Sequence, residues 1–74
     1  MNSDVFQQRL KSTRLSKGYT LEQLGKIVGL SRGSLSALET GKRSVSLDTI
    51  ILIAKALETS IDYLIGLSDD PKQH

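Results

Sequence analysis

Residues 20–40 read TLEQLGKIVGLSRGSLSALET, and this stretch decides the fold. Leu21, Leu24 and Val28 fall at i, i+3 and i+7, one face of a helix. Thr20 stands where an N-cap belongs, and Gln23, three residues on, completes a Thr-x-x-Gln capping box. That helix stops at Gly29. Ser31 caps a second helix, which carries Leu35 and Leu38 on one face and is closed by Gly41. Two short helices crossing steeply through a tight turn make specific demands. They need a small residue where the backbones nearly touch, and one in the turn that accepts φ > 0. Gly25, four residues after Leu21, meets the first demand, and Gly29 meets the second. Leu24, Val28, Leu30, Leu35 and Leu38 supply the inner faces. A chance pair of amphipathic helices accounts for the leucines, but less readily for both glycines together with both caps.

Two helices joined in this way form a helix-turn-helix. Outward from it, the same signals recur. Ser3 precedes a stretch with Phe6 and Leu10 at i, i+4, which ends before Gly18. Ser46 caps a further helix, where Leu47, Ile50, Ile53, Ala54 and Leu57 keep helical spacing. Ile50–Ala54 is apolar enough for a strand, but its flanks extend the helical period instead. Ser60 caps a short last helix with Ile61 and Leu64, and Pro71 sits in a polar tail expected to fray. The expected fold class is all-α: five short helices joined by loops of two to about five residues, the helix-turn-helix being helices 2 and 3. One domain over residues 1–67 and a tail over 68–74 divide the chain. No internal repeat or low-complexity segment is visible.

Composition narrows the function. The 74 residues, 38% of them apolar, with only Phe6, Tyr19 and Tyr63 as aromatics, suffice for one thin core. There is no cysteine, which excludes disulfides, thiolate zinc sites and thiol catalysis. The only histidine is His74, read as a solvated terminal residue. No metal site, cofactor or small-molecule ligand is implied. No nucleophile–base pair and no phosphate-cradling glycine loop after a strand are present, so an enzyme is not expected. No exposed aromatic platform for single-stranded RNA is evident. The start MNSDVFQQR lacks the charged and apolar regions of a secretory signal, and the longest apolar run has five residues against the roughly 20 that span a bilayer. The expected location is cytoplasmic, with no membrane partner.

Charge is uneven. The net charge is +2, yet residues 1–46 hold eight basic residues against Asp4, Glu22 and Glu39. Residues 47–74 hold Lys55 and Lys72 against five acidic residues. A basic N-terminal part beside an acidic C-terminal part suggests one polyanion-facing side, although mixed surface charge would give the same count.

Six stretches carry a family resemblance: Arg9-Leu-Lys-Ser-Thr-Arg14, Gly18-Tyr-Thr-Leu-Glu-Gln-Leu24, Gly29-Leu-Ser-Arg32, Glu39-Thr-Gly-Lys-Arg43, Ile53-Ala-Lys-Ala-Leu57 and Ser60-Ile-Asp-Tyr-Leu64. In these the chain resembles the phage-repressor type of helix-turn-helix domain, the lambda-repressor-like or Xre family, from about Phe6 to Gly66. The resemblance implies that the third helix enters the major groove of double-stranded DNA. Ser31, Arg32, Gly33, Ser34 and Ala37 would then face base edges. Arg32 is the candidate for direct readout, because its guanidinium fork matches guanine O6 and N7. Phosphate contacts would come from Thr20 and Leu21 at the start of the second helix, and from Thr40, Lys42, Arg43 and Ser44 after the third. Leu21 departs from the family, where a phosphate-gripping glutamine is common, so only its backbone could contribute. Arg14 and Glu39 match a structural ion pair of relatives.

Relatives dimerise, which matches palindromic operators with half-sites about 34 Å apart. A homodimer of this chain would use the last two helices, with Ile51, Leu52, Tyr63, Ile65 and Leu67 as candidates, some of which could instead complete the core. The implied function is a sequence-specific transcriptional regulator, foremost a repressor: a prophage repressor, a restriction–modification controller or a stand-alone regulator. The alternative is an antitoxin or adaptor that binds a protein partner and keeps DNA binding for autoregulation.

Overall fold

The computed structural model describes residues 3–72, so His74 lies outside the described residues. Five helices follow one another: α1 (Ser3–Ser16), α2 (Leu21–Val28), α3 (Arg32–Thr40), α4 (Leu47–Leu57) and α5 (Ile61–Leu64). The described residues contain no strand. None of the described helices is long and apolar enough to cross a membrane.

Local chemistry starts each of the last four helices. Thr20, Ser31, Ser46 and Ser60 sit in extended backbone, and their hydroxyls accept from the N–H groups of Gln23, Ser34, Thr49 and Tyr63. Each cap satisfies an N–H that the helix leaves unpaired, worth about 1 kcal/mol. At Thr20 the box is reciprocal, since its own N–H donates to Gln23 Oε1 at 2.8 Å. Gly29 and Gly41 end α2 and α3 in the left-handed region, at φ 77° and 78°. Glu58 ends α4 there too, at φ 54°, without being glycine. Its N–H donates to the Ala54 and Lys55 carbonyls, which holds the conformation.

Every helix contributes to one core. Phe6 and Leu10 enter from α1, Leu24 and Val28 from α2, Leu35 and Leu38 from α3, Ile50, Ile53, Ala54 and Leu57 from α4, and Leu64 from α5. Helix α1 packs on α3 and α5, while α2 packs on α3 and α4. Burying one such Leu or Ile fully contributes about 1.5–3 kcal/mol. Leu47 keeps the spacing of the inner face yet is 65% exposed, because it is the first residue of α4 and lies ahead of the packed turns.

The described part of the tail, 68–72, is not frayed. Arg9 Nη1 donates to the Tyr63 and Ser68 carbonyls at 2.6 and 2.7 Å, and Nη2 meets Asp69 Oδ1 at 3.0 Å. The Pro71 carbonyl accepts from the Ser60 N–H at 2.8 Å and from the buried Thr59 hydroxyl at 3.1 Å. The tail therefore closes back along α1 and the α4–α5 junction.

The turn between α2 and α3 tolerates no side chain at position 25. A Cβ on Gly25 would collide with the Leu30 carbonyl oxygen, a backbone atom that cannot rotate away. Gly25→Ala is expected to destabilise the domain by roughly 1–3 kcal/mol, the usual cost of overpacking. Urea unfolding checks this; an unchanged midpoint would show that the turn relaxes freely.

Candidate nucleic-acid interface

The α2–α3 turn is built on two backbone hydrogen bonds to one carbonyl. The Gly29 N–H donates to the Gly25 carbonyl, and the Leu30 N–H donates to the same oxygen at 2.8 Å. Ser31 then leaves the turn in extended backbone and caps α3. This sets α3 against α2 with Leu35 and Leu38 turned inward and the start of α3 turned out.

Ser31, Arg32 and Gly33 are exposed, whereas Ser34 and Ala37 are half-buried. The Ser31 hydroxyl donates to Ser34 Oγ at 3.0 Å, so Ser34 is committed in part to the cap. Helical spacing from Arg32 and Gly33 leads to Ser36, Ala37 and Thr40 on the same outward face. Ser36 belongs to that face and was missed in the sequence reading. The i+4 spacing from Arg32 is the signal that could have found it. Thr40 is exposed, and its hydroxyl donates to the Ser36 carbonyl at 3.0 Å. Leu21, Arg32, Gly33 and Ser36 line one surface notch between the start of α2 and the outer face of α3.

Gly33 is unusual within this face. Its Cβ position is open, with no atom within 4 Å, and its φ is not positive. It is the second residue of α3, in the first turn. The other five glycines each have either positive φ or a crowded Cβ position. Nothing within the fold calls for a glycine at position 33.

Thr20 is exposed at the start of α2, and Leu21 is half-buried against the core. Lys42, Arg43 and Ser44 are exposed in the loop that follows α3. Among the described residues the ion pairs are Arg9–Asp69 and Arg14–Glu39, so Arg32, Lys42 and Arg43 keep their charge unpaired. An uncompensated cation at the N-terminal end of α3 and two more past its C-terminal end suit a polyanion running along the helix.

Arg14 and Glu39 hold α3 in place from behind. Arg14 Nε donates to Glu39 Oε2 at 2.6 Å and Nη2 donates to Oε1 at 3.1 Å, a bidentate pair. Nη1 donates to the Tyr19 carbonyl at 2.8 Å, immediately before the α2 cap. The two side chains are 8% and 6% exposed. One guanidinium thus ties α1, the entry to α2 and the last turn of α3 together.

The residues considered for a dimer face divide. Tyr63 is half-buried beneath Arg9, whose guanidinium lies 4.2 Å from the ring centroid. Ile65 packs against the core. Both make contacts within the protomer and stay partly exposed. Leu52 and Leu67 are 49% and 76% exposed, and Ile51 is half-buried. Ile51 lines a groove with Ala54 and Ile61 between α4 and α5, with Lys55 and Asp62 also at its wall.

The fold and this face define a helix-turn-helix module. The helix-turn-helix family profile HTH_3 matches residues 10–64, and the chain belongs to this family, the lambda-repressor-like or Xre type. Similar proteins include the HTH-type transcriptional regulator YobD of Bacillus subtilis, 33% identical over 67 residues, which cover 90% of this chain and 60% of that protein. The control protein C.SmaI of Serratia marcescens is 36% identical over 62 residues, covering 84% of this chain and 74% of that one. The crystal structure of the restriction-modification controller protein C.AhdI from Aeromonas hydrophila superposes with a TM-score of 0.80 at 36% identity, covering 85% of this chain and 96% of that chain. Against most of its curated relatives the chain spans only about half to three-fifths of their length.

Removing one partner of the buried pair leaves the other charge uncompensated. Glu39→Gln is expected to cost about 3–5 kcal/mol of stability. Thermal and urea unfolding measure it. A loss under about 1 kcal/mol would mean that the pair behaves like an exposed one.

Proposed function

We propose that the chain is a sequence-specific DNA-binding transcriptional regulator, foremost a repressor, that binds palindromic operator DNA as a homodimer with α3 in the major groove. One observation carries the reading: the outward face of α3 presents an unpaired Arg32 beside the side-chain-free Gly33, behind a fully paired Arg14–Glu39 brace. The brace neutralises Glu39, an acidic group that would otherwise repel phosphate near the DNA face.

In this reading Arg32 reads a guanine, and Ser31, Gly33, Ser34 and Ala37 lie along the base edges. Few of these side chains are long and polar, so base readout is modest, and phosphate contacts and DNA shape supply the balance. Phosphate is held at the α2 N-terminus by Thr20 and the Leu21 N–H, where the helix dipole favours an anion. Thr40, Lys42, Arg43 and Ser44 hold it beyond α3. Occupying a promoter suffices for repression, and the place of action is the cytoplasm. The similar proteins include a control protein, a restriction–modification controller and a prophage-derived regulator, so similarity supports both contexts.

One module sees half a site, so a dimer is needed for useful affinity. The exposed Leu52 and Leu67, with the half-buried Ile51 beside the α4–α5 groove, support an interface there. Sedimentation equilibrium across micromolar concentrations should show a reversible dimer for the native chain and a monomer for Leu52→Lys. A strict monomer of the native chain at every concentration, with or without operator, would contradict the homodimer.

DNA binding itself has a separate signature. A dimer making 6–10 phosphate contacts should lose roughly 10³–10⁵ in affinity between 50 and 200 mM salt. Arg43→Ala should flatten the salt dependence by about one counterion per protomer, whereas Arg32→Ala should cost roughly 1–3 kcal/mol and relax preference at one base pair. Equal salt slopes for the native chain and Arg43→Ala would remove Arg43 from the phosphate contacts.

A further inference from the structure

Gly33 stands in the exposed first turn of α3, and no contact within the protein calls for a glycine there. Its φ is ordinary, its Cβ position is open, and the five other glycines all have a backbone or packing reason. An exposed helical glycine with no internal purpose marks a place where something outside the protein comes close to the backbone. What surrounds it narrows the visitor. The notch is lined by Gly33, the half-buried apolar Leu21, Ser36 and Arg32. Leu21 offers no hydrogen bond from its side chain, so its side can receive only an apolar group.

We infer that the Leu21–Gly33–Ser36 notch receives the 5-methyl group of a thymine in the major groove, and that Leu21 and Gly33 set a thymine preference in each half-site. The inference rests on the DNA-binding reading and deepens it. Among the groups that base pairs display in the major groove, the thymine methyl is the apolar one. A methyl fits a site lined by one apolar side chain and by a residue without one, and an amino or carbonyl edge facing Leu21 would go unpaired. Leu21 therefore acts as a specificity residue through its side chain, in addition to the phosphate contact of its backbone.

The test uses the full chain and two substitutions, one in the DNA and one in the protein. Selection from random duplexes first yields the preferred site. Each thymine is then replaced singly by deoxyuridine, which keeps every hydrogen-bonding edge and removes only the methyl. At one thymine per half-site the native chain should lose about fourfold in affinity, the equivalent of one buried methyl group. Gly33→Ala has room for its Cβ and restricts the unfolded chain, so it should melt no lower than the native chain. It should nonetheless bind the thymine site several-fold more weakly, and it should no longer distinguish thymine from uracil at that position. Uracil neutral at every thymine, or Gly33→Ala binding and discriminating like the native chain, overturns the notch while leaving DNA binding intact. A failure of selection to enrich any sequence overturns the DNA-binding reading and this inference with it.

Discussion

The bidentate pair between Arg14 and Glu39 is the constraint on which the rest of the structure depends. A helix-turn-helix fixes the angle between its own two helices through Gly25, Gly29 and the Leu30 backbone. It does not fix their position on the body of the protein. The shared core and Arg14 do so together, Arg14 by reaching from α1 to the Tyr19 carbonyl before α2 and to Glu39 at the end of α3. Two nearly buried charges are costly unless their hydrogen-bonding capacity is used, and here the guanidinium meets three oxygens. The tolerance for misplacement is correspondingly small, which suits the proposed entry of α3 into a groove in one orientation.

Apolar burial and charge placement divide the labour. Each helix turns a stripe of Leu, Ile, Val or Phe to one core. The long cations either brace the structure or face outward. Arg9 and Arg14 are engaged within the protein, the first by the tail and Tyr63 and the second by Glu39. Arg32, Lys42 and Arg43 are left exposed around α3. Lys11, Lys17 and Lys26 are exposed on α1, just beyond it and on α2, so the positive charge of the N-terminal half extends past α3.

Most of the fold was legible in the residues, because short-range chemistry governs it. Thr20, Ser31, Ser46 and Ser60 are caps by residue type and position, and Gly25, Gly29 and Gly41 stand where only glycine is comfortable. What escaped depends on neighbours distant in the chain. Arg9, 54 residues before Tyr63, clasps the end of α5, a contact that neither residue announces on its own. Leu47 keeps the helical period but precedes the packed turns. Glu58 adopts a left-handed conformation that its residue type does not announce. The tail reads as polar and free, yet the Pro71 carbonyl is held by Thr59 and Ser60 through contacts with no sequence signature. At the candidate site the residue types around α3 were readable, but Ser36 was overlooked. The notch it forms with Leu21 and Gly33 exists only once α2 and α3 are packed.

The proposed DNA-binding face is the outer face of α3. Amide chemical-shift mapping of the whole chain on titration with its selected duplex tests it most directly. Perturbations should gather at Thr20–Leu21, Ser31–Ala37 and Thr40–Ser44, with the buried Leu35 amide moving least among them. Perturbations centred on α1 or on the tail at 68–72, with the α3 face silent, would contradict it.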